Sequence, residues 1–410
     1  ISIILLMKKQ ECLIIKNFGP IVEAKIDIKP FMVFIGESGS GKSVILKLLS
    51  LFRWIYKKNI LRDIAKNASI KKELYRFRID KMLRESGLSD FCLKGSQAHY
   101  YIGDFYISII YNDKLILKIS PQNTNNKTLE KISFITDDRF AIPMLANNQI
   151  RRGAIPYHLE KTFDDFWESF NHLQTNKKVK VSIFDLELSL EKYGIENRLY
   201  INLKNSKTQL HNASSGIKSA SIIELISTYF VANKEYTQNK YADFIVDIFS
   251  KSQNRNPNEF LKNFENITFD KERYSLFIEE PELSLFPNAQ KKLVEYLVNL
   301  CFYLNTKKTI QIAFSTHSPY MLSSLNCLLL AHEIASKNPK LKEQITNIIP
   351  NKFWLDINKF NAFKVENGEV FSIIDKQTNL ILAESIDEVS EEIGETFDKL
   401  LELENTNESK

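Results

Sequence analysis

Gly36-Glu37-Ser38-Gly39-Ser40-Gly41-Lys42-Ser43 follows the spacing G-x-x-x-x-G-K-[ST]. Glycines at those positions let a loop curl until its backbone N–H groups point at phosphate oxygens, and a helix leaving the loop adds the positive end of its dipole. Lys42 would then reach the β and γ phosphates of a nucleotide, and the Ser43 hydroxyl would ligand Mg²⁺. With only 12 glycines in 410 residues, a chance match is uncommon.

Three later stretches carry chemistry that such a loop needs. Ala213-Ser214-Ser215-Gly216 places small polar residues at a helix start, where exposed N–H groups and hydroxyls can turn toward one phosphate. The same residues also make an ordinary helix cap. Phe277-Ile278-Glu279-Glu280 runs apolar residues into two carboxylates, and two adjacent buried carboxylates are costly without a cation. Mg²⁺ would supply that charge, with Glu279 nearest the metal and Glu280 aimed at the attacking water. Thr309 to Phe314 is a second apolar run, ending in Ser315-Thr316-His317. His317 therefore sits where it can reach a γ-phosphate.

The elements that must position these groups follow from hydrophobic period. Phe31-Met32-Val33-Phe34-Ile35 enters the glycine loop as a strand and Val44 to Leu49 leaves it as a helix. Upstream, Cys12 to Lys16 and Ala24 to Ile28 read as strands around the turn Asn17-Phe18-Gly19-Pro20, a short antiparallel sheet expected beside the nucleotide strand. A helical stretch runs from Ser43 to about Glu85, followed by strands within Tyr100 to Ile119, another at Lys131 to Ile135, and helical, aromatic sequence from Gln149 to Leu173. Tyr274 to Ile278 and Thr309 to Phe314 have the continuous apolar character of strands buried on both faces. Asn361 to Phe371 reads as a hairpin, with an acidic helix from about Ser385 to Leu403 behind it.

Composition is that of an ordinary globular protein, with 44% hydrophobic residues and a net charge of +5. The charge is uneven. Eleven Lys/Arg face three acids between Arg53 and Arg84, and ten acids face Lys399 between Glu384 and Glu408. Such asymmetry fits a nucleic-acid footprint, an inhibitory tail or a partner surface, and more commonly marks solvated helix faces. Arg139, just past a strand, faces a phosphate or partner subunit, or pairs with Asp137 or Asp138; Arg151-Arg152 is a weaker phosphate candidate. Four isolated cysteines form no C-x-x-C pair, so a reduced, cytoplasmic protein is expected. Met7 reads as a natural start, and no apolar run approaches the ~20 residues of a membrane helix.

Taken in order, the glycine loop, Ser-Ser-Gly, strand-Glu-Glu and strand-His resemble the ATP-binding cassette and SMC-like ATPases. Within them the chain is most similar to the AAA-domain proteins grouped with overcoming-lysogenisation-defect and recombination-type ATPases. Phe277 to Pro287 looks like their extended Walker B and D-loop, Ser315 to Pro319 like their switch histidine, and Ala213 to Gly216 like their signature. Ile15-Lys16-Asn17-Phe18-Gly19-Pro20-Ile21 resembles the opening of such heads.

The resemblance implies an α/β fold, an ABC/SMC-like P-loop head with mixed and antiparallel sheets. The head would span 7–330, with helical insertions at about 45–90 and 141–195, and 331–410 would be a small extension. It also implies ATP and Mg²⁺ as ligands and a head-to-tail homodimer or higher oligomer, each Ser214-Ser215-Gly216 closing over ATP on its partner. Glu280 would polarise water and His317 hold the γ-phosphate, while Ser43 and Glu279 hold the metal. The signature carries Ala213 and Ile217 where transporters carry Leu and Gln, and it lies about 170 residues after the glycine loop instead of the roughly 100 usual in transporters, which counts against a transporter subunit. Glu279 replaces the usual Asp, and Gln97 is the candidate for the glutamine that follows in the family pattern. There is no long heptad array and no nuclease constellation. These features suggest the ATPase of a bacterial anti-phage defence system acting on a separately encoded effector. The alternative is an ATP-gated DNA clamp whose basic helix, including Lys71, Lys72, Arg76 and Arg78, tracks phosphates.

Overall fold

A computed structural model of the chain describes residues 11–382 apart from 68–76, 122–127, 147–154, 174–177, 194–195, 204–205, 234, 252–268, 270 and 305–307, together with residues 396 and 398. The N-terminal half opens with strands β1 (Cys12–Phe18), β2 (Ile21–Asp27) and β3 (Phe31–Ile35), then helices α1 (Lys42–Asn67) and α2 (Ile79–Glu85). Strands β4 (Gln97–Ile102), β5 (Phe105–Tyr111), β6 (Leu115–Ile119) and β7 (Thr128–Ile135) follow, then α3 (Ile142–Ala146) and α4 (Tyr157–Asn171). A small unit of β8 (Lys178–Val181), β9 (Leu186–Tyr193), β10 (Glu196–Asn202) and β11 (Lys207–Gln209) leads to α5 (Ser215–Ala232) and α6 (Tyr236–Lys251). Beyond lie β12 (Lys271–Ile278), α7 (Pro287–Phe302), β13 (Lys308–Thr316), α8 (Pro319–Lys337), α9 (Lys342–Ile348) and the hairpin of β14 (Phe360–Glu366) and β15 (Glu369–Ser372).

Eleven strands form one mixed sheet in the order β6-β5-β4-β1-β2-β15-β14-β3-β13-β12-β7. From β14 to β7 every pairing is parallel, while β6 to β2 is an antiparallel meander. Parallel strands have helices on both faces, so their side chains must be apolar on both. β3 shows it directly: Phe31 and Val33 enter one core with α4, α5, α7 and α8, while Met32 and Phe34 enter another beneath α1. The α/β class and the mixed sheet expected from the sequence are therefore present.

Three expectations need correction. The C-terminal hairpin is no appended extension, because β14 and β15 lie inside the main sheet between β3 and β2. Phe363 stacks on Phe34, and Lys29 donates to the carbonyls of Ile357 and Phe360, so the late strand is locked to the early ones. A boundary at 330 also cuts α8. The segment 45–90 is not an insertion either, since α1 is the helix that covers the sheet; and 141–195 is only partly helical, its second half belonging to the sheet β11-β10-β9-β8. The acidic helix placed at 385–403 falls outside the described residues except at 396 and 398.

Burial explains the basic stretch differently as well. Arg53 is 1% exposed and sits in a charged knot beneath the sheet, bonded to Glu11, to Gln311 at 2.7 Å and facing Glu130 at 3.7 Å. Tyr100 and Ser275 donate to the same two carboxylates. Burial pushes the neighbouring Lys57 down to about 8. Lys58 lies over Trp54, and Arg62 donates to Asn59. Arg53 cannot track a nucleic-acid backbone, which removes the head of the proposed footprint; Lys71, Lys72 and Arg76 lie outside the described residues.

Two measurements follow from this packing. Arg53→Met leaves the buried Glu130 without its nearest cation and Glu11 with only Arg273 at 3.7 Å, and is expected to cost about 3–5 kcal/mol, seen as a lower urea midpoint with an unchanged slope. His158, tilted against the Phe134 ring with Nε2 donating to the Ser86 carbonyl, is held by burial at about 4 against 6.5 when free. The unfolded chain thus binds the proton more readily, so this contribution is complete above pH 6.5 and declines as pH falls toward 4. His158→Phe is expected to flatten the acid side of a Tm-against-pH curve over that window; an unchanged slope counts against it.

Candidate functional site

Parallel strands β3, β13, β12 and β7 all end at the same edge of the sheet, and the chemistry-bearing residues collect in the loops just past those ends. The glycine loop leaves β3 between β14 and the turn after β1. A Cβ on Gly36 would run into the carbonyl oxygen of Val365 on β14, so only glycine lets the loop depart there. Glu37, Ser38 and Gly39 are exposed at its tip, while Gly41 and Lys42 are buried. The Lys42 ammonium donates to the carbonyls of Gly36 and Glu37, both at 2.7 Å, which folds it over the cradle. Burial lowers its pKa, opposed by Glu280, Glu282 and Glu37. Ser40 Oγ is buried with no hydrogen-bond partner among the described residues.

Glu279 directly follows β12 and is 4% exposed. Burial raises its pKa; the Lys47 ammonium at 3.6 Å and hydroxyl donors on Ser43 and Thr136 oppose that. Ser43 and Lys47 lie four residues apart on α1 and so share the face turned to this carboxylate. The donors present are hard oxygens, Ser43 and Glu279, and among the described residues no group of three His, Cys, Asp or Glu could enclose an ion. Two protein ligands completed by phosphate oxygens and water is the set Mg²⁺ accepts, and the unpartnered Ser40 hydroxyl fits a phosphate oxygen in the same cradle.

Glu280 follows in an uncommon conformation, with φ +42°. Its N–H donates to the Ser315 carbonyl at 3.1 Å, tying it to β13. Its carboxylate lies 3.3 Å from His317 Nε2, and both side chains are about one-third exposed. The His317 N–H donates to Glu282 at 2.7 Å, so the third carboxylate of this stretch fixes the histidine loop. The two strand ends expected to share one crevice do so.

Arg139 takes neither of the roles expected of it. Fully buried, it donates from Nε to Ser219 Oγ at 2.7 Å, from Nη1 to the carbonyls of Thr136 at 3.1 Å and Glu279 at 2.8 Å, and from Nη2 to the Glu280 carbonyl at 2.6 Å. Burial pushes it down to about 10, so it remains a cation at neutral pH. Gln97 is also misplaced by the sequence reading: it sits on β4 in the antiparallel half, beside His99, and Thr136 after β7 is what meets Glu279. Lys47 went unrecognised, Glu282 was given no role of its own, and Arg139 was expected to face a phosphate, a partner subunit or a neighbouring aspartate. Of these only Lys47 left a local trace, one helical turn beyond Ser43. Arg151 and Arg152 lie outside the described residues.

Ser214 begins α5 without a side-chain cap bond, and Ser214 and Ser215 are both exposed. Gly216 is buried, pressed on the Ser284 carbonyl of the loop after β12. The side chains of Phe286, on the loop after β12, and Tyr320, in the first turn of α8, are 81% and 54% exposed.

Among known proteins, the family described as "AAA domain, putative AbiEii toxin, Type IV TA system" matches residues 31–323. No curated protein matches the sequence. Similar solved structures include the SMC head domain from Thermotoga maritima, at 10% identity and TM-score 0.37, covering 89% of this chain and 98% of that one. The Smc head domain with an extended coiled coil bound to the C-terminal domain of ScpA, from Pyrococcus furiosus, shows 11% identity and TM-score 0.39, covering 94% and 99%. A putative metal-chelate type ABC transporter in an inward-facing conformation shows 10% identity and TM-score 0.30, covering 92% and 88%. Among the described residues no helix is long and apolar enough to cross a membrane. With its family match running from the nucleotide strand into α8, the chain belongs to this AAA-domain family and is a P-loop ATPase.

Proposed function

We propose that two copies of this chain sandwich two ATP molecules head to tail, and that the ATP state of the pair controls a separately encoded effector in anti-phage defence. One observation carries the dimer: Ser214 and Ser215 stand exposed at an uncapped helix start, with hydroxyls and first-turn N–H groups left for an anion that no element of the same chain supplies among the described residues. The exposed Phe286 and Tyr320 beside the crevice are the apolar contacts such an interface needs. The defence role is supported by the family description, which names a toxin of a type IV toxin–antitoxin system. The chain would work in the cytoplasm, where ATP is available.

In this reading the glycine loop from Gly36 to Ser43 wraps the phosphates and Lys42 leaves its own loop carbonyls for the β and γ oxygens. Ser43 and Glu279 would hold Mg²⁺, which would supply positive charge to the phosphate oxygens. Glu280 takes a proton from the attacking water, and its lone pairs are aimed by a backbone held on both sides. His317, already 3.3 Å from Glu280, orients that water and donates to the γ-phosphate. Ser214, Ser215 and Gly216 of the second copy close the far side and exclude bulk water.

Lys42→Ala is expected to abolish ATP binding by equilibrium dialysis. Glu280→Gln should keep binding, slow phosphate release at least about 100-fold and hold the protein as a dimer in ATP. Sedimentation velocity with and without ATP reads the mass; a Glu280→Gln protein that hydrolyses at the parental rate removes Glu280 as base, and a mass indifferent to ATP removes the sandwich.

A further inference from the structure

The residues that cover the partner's nucleotide and those that attack the chain's own nucleotide are joined by one buried side chain. Arg139 reaches Ser219 on α5, four residues past Ser215, and with the same guanidinium holds the carbonyls of Glu279 and Glu280. It is fully buried, and among the described residues no carboxylate lies within ion-pair distance of it; its hydrogen bonds go to three backbone carbonyls and one hydroxyl, while Glu282, Asp137, Glu280 and Glu279 favour its charge from further off. A planar, five-donor group satisfied this way fixes direction as well as distance.

What it fixes is a backbone in need of holding. Glu280 has φ +42°, a conformation costly for a residue with a side chain and kept only where its surroundings impose it. The Ser315 carbonyl takes its N–H, and Arg139 takes its carbonyl. A second contact runs parallel to the first: Gly216 leaves no room for a Cβ against the Ser284 carbonyl, and Ser284 is the other non-glycine residue with positive φ in the loop after β12, at +62°. The first turns of α5 and the carboxylate loop are thus engaged at two points, so a displacement of α5 is passed to Glu280 through hydrogen bonds and through contact.

We infer that Arg139 is a positioning residue that couples the two nucleotide sites: α5, drawn toward the ATP held by the partner, sets the orientation of Glu280 over the chain's own ATP through Ser219 and Arg139. Each carboxylate is aimed only when both nucleotides are in place. This inference rests on the proposed sandwich and adds to it a route between the two sites.

The test is a mixed dimer of full-length chains. One chain carries an intact Lys42 and the other Lys42→Ala, so a single site is loaded. Turnover per loaded site is expected to fall at least about fivefold relative to the doubly loaded dimer. Placing Ser219→Ala on the Lys42-bearing chain should lower kcat with little change in KM and make the remaining rate indifferent to the partner's Lys42, while Ser219→Thr, which keeps the hydroxyl, restores the dependence. Arg139→Lys serves as a second variant should Ser219→Ala fold poorly, and is expected to uncouple in the same way. A merely structural role would change thermal stability without changing how the rate depends on the partner. If the dependence on the partner survives both variants, or is absent from the parent while ATP still drives dimerisation, the coupling is wrong and the sandwich stands. If ATP causes no dimerisation by sedimentation, the sandwich itself falls and the coupling with it.

Discussion

A carboxylate buried at the end of a parallel strand must find positive charge nearby or give up its own. Glu279 is that carboxylate, and much of the architecture around it answers the demand. Lys47 stands at 3.6 Å, Ser43 and Thr136 donate hydroxyls, and the Glu279 carbonyl is taken by Arg139. Because Ser43 and Lys47 belong to α1, the helix that starts at the glycine loop is docked in one rotational setting. The phosphate cradle and the acidic strand end are thereby placed against each other before any nucleotide arrives. A metal entering between Ser43 and Glu279 would meet a carboxylate already shared with the Lys47 ammonium.

A second charged knot, under the same sheet, does a different job. Arg53, Glu11, Glu130, Gln311 and Tyr100 connect α1 to β4 and β13 with hydrogen bonds and to β7 with an ion pair, in an otherwise apolar layer. Such a cluster is poor at raising stability compared with hydrocarbon of similar volume, but its members fit in few arrangements, which favours one strand register over its neighbours. The basic run that looks like a surface in sequence is therefore partly interior.

How much could be read without coordinates depended on the range of the interaction. The glycine loop, the strand running into Glu279 and Glu280, and the strand running into His317 announce themselves within ten residues, because hydrophobic period and turn chemistry are local. The crevice they share was legible too, since parallel strands expose their C-terminal ends on one side. Arg139 was visible only as a cation after a strand. What it bonds, Ser219 and the carbonyls of Glu279 and Glu280, lies 80 to 141 residues on, and no spacing rule reaches that far. The hairpin Asn361 to Phe371 was recognised as a hairpin, yet its insertion between β3 and β2 had no signature. Parallel pairing across more than 300 residues leaves no periodic mark in either partner.

That late pairing bears on synthesis. A ribosome delivers β3 and the glycine loop early, but the strand that borders them, β14, emerges only after residue 360. Until then Gly36 lacks the Val365 carbonyl against which it is shaped, and one edge of β3 offers unpaired amides to whatever is near. A polypeptide cut short before its last hairpin therefore lacks the strand that borders the glycine loop on this side.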